Sequence, residues 1–511
     1  MSAESSAAGQ AEPRAGRKAW VGLAVLALPC ILYAMDLTVL NLALPALSAE
    51  LHPTSAQLLW IVDIYGFLVA GSLITMGTLG DRIGRRRLLL IGAASFGVAS
   101  VFAAFSTSAA MLIATRGLLG LAGATLAPST LSLIRSLFPN PQQRTMAIGI
   151  WVTSYSVGGA IGPLIGGVVL KFFWWGSVFL IGVPVMALLL VVGPLLLPEH
   201  KDPHPGRLDL PSAALSLTAV LLIIYGLKRI AEGGPGVISS AAVAVGLLIG
   251  VAFVRRQRSL AEPLIELRLF RTAAFTTALA SYTLGTFVAF GSYVFLAQYL
   301  QLVLGLSPLL AGLATGPSMV AYIAGSLLVP ALSRRARPAS IVIAGFALAA
   351  VGFALLALVG GGAGLGLVIG ATVVYALGLS PVTVLATDLI VGSAPVDRAG
   401  AASAISETSS ELGGALGIAL LGAIGIAVYR SAMAAGVPAG APAEAAELAR
   451  ATLGGAVAVA QRLGPQASAA LLTAARGAFA HAFAIVAATS AAVSVGMAAL
   501  AAILLRRRPA D

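Results

Sequence analysis

Apolar residues fall in long runs separated by short polar turns over almost the whole chain. A hydrocarbon core about 30 Å thick needs about 20 apolar residues of helix. Runs of that kind recur fourteen times, at 20–43, 57–79, 88–106, 111–133, 147–170, 177–197, 210–227, 237–254, 273–302, 308–330, 340–359, 364–389, 399–428 and 479–505. The predicted fold class is an all-α integral membrane protein, since a helix satisfies its own backbone where no water can. The one long remaining connection, 430–478, carries Glu444, Glu447, Arg450 and Arg462 and breaks at Gly464-Pro465. A charge at the centre of a span costs roughly 2.5–3.5 kcal/mol on insertion. This stretch therefore reads as two short surface helices, either a lid over the outer mouth or a plain connector.

Composition closes off the soluble classes. Of 511 residues, 59% are hydrophobic and 10% charged, with a mean hydropathy of +0.98. A soluble domain carries about 25% charged residues. The net charge of +12 would suggest nucleic acid on a soluble protein. Here the basic residues sit in the turns, so they report topology and no nucleic-acid partner. With the N-terminus inside, the inner segments hold 23 Lys and Arg and the outer ones 7. That bias puts both ends in the cytoplasm of a cell-membrane protein. Residues 1–19, with Arg14, Arg17 and Lys18, read as a cytoplasmic tail before a true span, not as a signal peptide. Cys30 is the only cysteine, and His52, His200, His204 and His481 are scattered. Neither an intramolecular disulfide nor a metal site is expected.

An arginine-rich turn recurs. Gly77-x-x-x-Asp81-Arg82-x-Gly84-Arg85-Arg86-Arg87 follows the second run, and the degenerate Ser333-Arg334-Arg335-Ala-Arg337-Pro338 follows the tenth. Two equivalent six-span bundles with the seventh and eighth spans inserted would place these turns alike, a plan with the substrate near mid-membrane. In span 5 the string Gly158-Gly159-Ala-Ile-Gly162-Pro163-Leu-Ile-Gly166-Gly167 lets helices approach closely, and Pro163 favours a bend. Span 1 contains Met35-Asp36-Leu37-Thr38-Val39-Leu40-Asn41, and span 13 contains Ser406-Glu407-Thr-Ser-Ser-Glu411.

These four elements resemble the fourteen-span drug:proton antiporter branch of the major facilitator superfamily. Within it the chain is most similar to exporters of the QacA, SmvA and LfrA type. The resemblance implies a first bundle over 20–197, an insert over 198–271, a second bundle over 272–505 and a tail over 506–511. It implies gating by Gly77, Asp81, Arg82, Gly84 and Arg85, and by Gly158, Gly162, Pro163, Gly166 and Gly167. It also implies antiport rather than symport, with a proton gradient as energy source, no cofactor and a monomeric carrier. The function expected is efflux of hydrophobic, cationic drugs. The same architecture would serve a dedicated exporter of one metabolite or self-made antibiotic. A receptor or intramembrane enzyme is disfavoured, because the tails are short and the spans show no nucleophile–base set.

Charged residues inside spans mark function by default. They are Asp36, Asp63, Arg116, Asp388, Glu407 and Glu411. Asp36, Asp63 and Arg116 fall in the outer half of one bundle, so Arg116 can pair with either aspartate. Glu407 and Glu411 are one turn apart on one helix face. Two carboxylates that close in low dielectric should not both ionise, which suits a proton-for-cation exchanger. Proton coupling is therefore expected of Asp36, Arg116 and Glu407. Substrate contact is expected of Asp36, Asp63, Tyr155, Glu407 and Glu411. Among the aromatics, Trp60, Trp174 and Trp175 read as interface-belt residues, and Asp388 as either interfacial or functional.

Overall fold

The computed structural model describes residues 14–199, 209–233, 236–260, 263–361, 364–395, 398–434 and 443–506. His200, Lys201, His204, Arg207, Arg507, Arg508 and the side chain of Pro163 lie outside the described residues. The chain forms α1 (Arg17–Leu51), α2 (Ser55–Ile83), α3 (Arg85–Ala104), α4 (Ala109–Gly123), α5 (Leu126–Leu137), α6 (Pro141–Phe172), α7 (Ser177–Leu180), α8 (Gly182–Leu196) and α9 (Leu210–Gly233). It continues with α10 (Val237–Ser259), α11 (Ala273–Gln298), α12 (Pro308–Ser333), α13 (Pro338–Ala357), α14 (Leu365–Ser393), α15 (Ala399–Met433), α16 (Ala443–Ala451), α17 (Leu453–Ala460) and α18 (Pro465–Arg506). Among the described residues, fourteen segments are long and apolar enough to cross a membrane. The fourth span is α4 with α5, and the sixth runs through α7 and α8.

Local sequence explains many of the helix starts. Thr54 and Gln57 form a reciprocal capping box on α2. Asn140 caps α6 with Pro141 in its first turn, and Ser307 caps α12 in the same way. Gly84 separates α2 from α3 at φ 109°, a conformation that favours glycine.

The two bundles repeat one packing device. A Cβ at Gly158, Gly162 or Gly166 of α6 would run into Ile31, Thr38 or Val39 of α1. In the second bundle, Gly413 and Gly417 of α15 press in the same way on Thr283 and Phe287 of α11. Between bundles, Gly77 of α2 lies against Gly400 and Ala404 of α15, and Gly149 of α6 lies against Ser326 of α12. Both crossings sit toward the membrane face that carries the arginine-rich turns, called here the basic face. The inserted helices α9 and α10 pack on each other through Gly226 and Gly246. α9 also lies on α2 and α15.

Two details differ from the sequence reading, the start of α18 and the place of Trp175, while the two short helices of the connection agree with it. α18 begins at Pro465, well before 479, so the connection is shorter and its last part continues the final span. α16 and α17 are the two short helices, and α16 is fixed by Tyr429 Oη donating to Ala449 O at 3.0 Å. Trp175 is no belt residue. It is 3% exposed and donates to Glu50 Oε2 in the last turn of α1 at 2.8 Å, so its ring is covered by protein and its N–H is satisfied by a side chain. Trp60 and Trp174 stay exposed.

Candidate functional site

The site forms where α1, α2, α4 and α6 of the first bundle face α11 and α15 of the second. Arg116 of α4 is 1% exposed, and Asp36 of α1 accepts from its Nη1 at 2.6 Å. Arg116 Nε donates to Ile61 O at 3.2 Å, and the guanidinium stands 4.7 Å from the Tyr65 ring. A buried cation this well enclosed is tolerable because ion pair, carbonyl and π-face together replace its water. Of the two aspartates within reach of Arg116 by depth, the structure gives it Asp36. Asp63 of α2 pairs with Lys228 of α9, which falls just beyond the run 210–227 read from the sequence.

Glu407 and Glu411 project from α15 into the same region. Tyr33 Oη of α1 donates to Glu411 Oε1 at 3.1 Å, crossing from one bundle to the other. Tyr282 of α11 stands beside Glu407. Glu407 Oε1 is buried and has no hydrogen-bond partner, and neither does Tyr65 Oη. Buried polar atoms are nearly always satisfied, so orphans at one site mark a place that a proton, water or ligand would complete. Ser406, the nearest serine to Glu407, does not supply the bond, since its own hydroxyl is an orphan.

Aromatic rings line the space between the acids. Tyr33 lies 5.9 Å from Tyr65 and 5.8 Å from Tyr155, and Tyr155 lies 4.8 Å from Trp151. Trp151 is held in place by donating to Thr130 Oγ1 at 3.0 Å. Tyr155, expected to contact substrate, lies inside this cluster. Tyr33 was missed by the sequence reading. Its signal was its spacing, three residues before Asp36, which places both on neighbouring positions of one helix face. The network therefore runs from Asp36 through Arg116, Tyr65 and Tyr33 to Glu411.

At the basic face the arginine-rich turn holds the bundles together. Asp81 accepts from Arg85 Nε at 2.9 Å, from Gly400 N at 3.0 Å and from Ala401 N at 2.9 Å. A carboxylate at the N-terminus of a 35-residue helix meets both unpaired N–H groups and the positive end of the dipole. Gly84 leaves room for Glu199, which accepts from Arg86 N at 3.2 Å. Arg82 lines a cavity beside Asp81 with Glu266 and Arg398. Across the same face, Asp388 of α14 is 8% exposed and accepts from Arg144 Nε and Thr145 Oγ1, both at 2.6 Å. Arg135 donates to Gly392 O at 3.1 Å. Asp388 is therefore a buried contact between bundles rather than an interfacial residue. Within the glycine string the roles divide. Gly158, Gly162 and Gly166 face α1, while a Cβ at Gly159 or Gly167 would enter open space.

Comparison with known proteins places this geometry in a family. Residues 26–418 match the family model described as Major Facilitator Superfamily. The chain is 44% identical over 494 residues, 97% of its length and 98% of the relative's, to the multidrug efflux pump LfrA of Mycolicibacterium smegmatis. It is 37% identical over 464 residues, 90% of its length and 93% of the relative's, to the methyl viologen resistance protein SmvA of Salmonella typhimurium. The crystal structure of the human organic anion transporter MFSD10 superposes with a TM-score of 0.61 at 14% identity, covering 94% of this chain and 99% of that one. With the sequence match, the paired six-helix bundles and the fourteen spans in agreement, the chain belongs to the major facilitator superfamily.

Proposed function

We propose that this protein exports hydrophobic cations across the cytoplasmic membrane in exchange for protons, with the basic face toward the cytoplasm. The observation that carries the reading is the pair Glu407–Glu411 on α15, partly buried beside Tyr33, Tyr282 and the edge-to-face pair Tyr155–Trp151. A lipophilic cation gains from an acid and a π-face together, each ring adding about 0.5–2 kcal/mol. An empty site with two partly buried carboxylates gains instead from taking up protons, because an unpaired charge away from water is costly. The two ligands thus compete for the same oxygens, which is the requirement for antiport. The Asp36–Arg116 ion pair is linked to these acids through Tyr65 and Tyr33, so neutralising Asp36 would leave an unpaired buried cation beside the two carboxylates and oppose their protonation. The similarity to a multidrug efflux pump and to a methyl viologen resistance protein supports the substrate class. No cofactor enters the scheme, and the proton gradient is the energy source.

The test is transport by purified protein in liposomes with an imposed pH gradient. A lipophilic cation should move against its gradient when protons run the other way, and its addition should itself drive proton movement. Asp36→Asn should abolish that drug-driven proton movement in protein that still inserts. Exchange that proceeds unchanged in Asp36→Asn, or transport indifferent to the pH gradient, would refute the reading.

A further inference from the structure

The exchange scheme leaves the inserted pair α9–α10 without a part, yet α9 covers the seam where the bundles meet along α2 and α15. Phe67 of α2, Val220 and Ile224 of α9, and Leu412 and Ala415 of α15 form one apolar cluster. Leu412 directly follows Glu411, so this cluster lies immediately behind the site.

The polar contacts of α9 are one-sided. Near its outer end, Lys228 donates to Asp63 of α2, and its ammonium stands 5.6 Å from the Phe67 ring. At its other end, Gln257 of α10 donates to Ser212 at 2.7 Å and accepts from Leu264 N at 2.7 Å. Leu264 O in turn accepts from Thr78 of α2 at 3.4 Å. Arg256 grips Asp209 through two bonds of 2.9 Å and holds its carboxyl down to about 2, so this clamp stays charged at every physiological pH. Among the described residues, the hydrogen bonds and ion pairs of α9 lead to α2, α10 and its own first turn, while its contact with α15 is apolar. The Asp63–Lys228 bond ties α9 to α2 through a directional, charge-assisted contact, whereas an apolar face can slide without losing one.

We propose that α9 is a lateral wall that travels with the first bundle, and that Asp63 and Lys228 are the positioning residues that hold it there. As the bundles rock, α15 slides along α9, and the hydrocarbon phase stays shut off from Glu407 and Glu411 on this side. The inference rests on the exchange scheme only for the importance of the two acids. The placement of the wall is tested without transport.

The protein is reconstituted in nanodiscs in a Cys30→Ser background with Leu412→Cys or, separately, Leu420→Cys. Each is labelled with bimane and exposed to lipids carrying a nitroxide on the acyl chain. Leu420 is 49% exposed and serves as the open reference. Quenching at 412 should be several-fold weaker than at 420. Lys228→Gln and Asp63→Asn should each raise quenching at 412 at least twofold and leave 420 unchanged. The charge exchange Asp63→Lys with Lys228→Asp should restore protection at 412. Equal quenching at the two positions in the parent would overturn the wall. Protection that persists in both single variants, or that the charge exchange fails to restore, would overturn the role of the pair. A failure of the exchange scheme would leave all these values unmoved.

Discussion

Charged residues stand out in a sequence that has few of them, and the six within the predicted runs were visible as candidates, whereas Arg135, Arg144 and Lys228, near the ends of the observed spans, were not. The pairings were not legible either. Depth along a helix can be estimated from the rise per residue, but two aspartates at similar depth differ only in which neighbour they face. That is decided by packing, which gave Arg116 to Asp36 and Lys228 to Asp63. Tyr33 offered only its spacing to Asp36 as a signal. A tyrosine in an apolar run is ordinary until the opposing bundle brings Glu411 to its hydroxyl. The pair on α15 yields a selective expectation. Glu407→Gln and Glu411→Gln should weaken binding of cations about tenfold or more, equivalent to about 1.4 kcal/mol, and leave neutral ligands nearly unaffected. Divalent cations should lose most, since they engage both carboxylates. Binding of a monovalent dye, a divalent dye and a neutral ligand to the purified variants between pH 5 and 8 checks this. Equal loss for all three would make the pair a packing element.

At the scale of elements, hydrophobic run length was enough to locate all fourteen crossings, because the bilayer fixes how much helix is needed. Ends were less legible. α1 continues to Leu51 and α18 begins at Pro465, since helices extend into the aqueous layers wherever the backbone can go on bonding itself. The glycine string of α6 was legible as a packing motif but not as a two-sided one. Gly166 meets Val39 of α1 at 2.8 Å for an added Cβ, whereas Gly167 points into open space. Gly166→Ala should therefore lower thermal stability by several degrees and reduce exchange, because α1 carries Asp36 and must shift. Gly167→Ala should change neither. Thermal unfolding in detergent, followed beside the exchange assay, distinguishes them. Equal damage from both would assign the second face a partner in another conformation.

Over the whole molecule the repeat was readable in the first arginine-rich turn and weak in the second, where Ser333 stands at the position of the acid. The structure supplies that acid from elsewhere. Asp388 of α14 grips the first turns of α6, as Asp81 grips the first turn of α15. Sequence comparison between the two turns could not show this, since the replacement lies on a different helix. The basic face is thus held by two latches on opposite sides of the approximate two-fold axis. Asp81→Asn and Asp388→Asn should each open that face more often and slow turnover of every substrate alike. Spin-label distances across the basic face should lengthen in both variants, with ligand affinity little changed. An effect confined to one substrate would place the residue in binding instead.

The neutral pairing of Asp36 with Arg116 has an electrical consequence. It leaves the two carboxylates of α15 as the charge reserve of the site. If two protons replace the departing substrate, a dication leaves with no net charge crossing the membrane, whereas a monocation leaves with one positive charge moving inward. Each elementary charge is worth about 2.3 kcal/mol per 100 mV. An inside-negative potassium diffusion potential should then accelerate export of monovalent compounds and leave divalent ones unchanged. The resting voltage of the cell would itself sort substrates by valence.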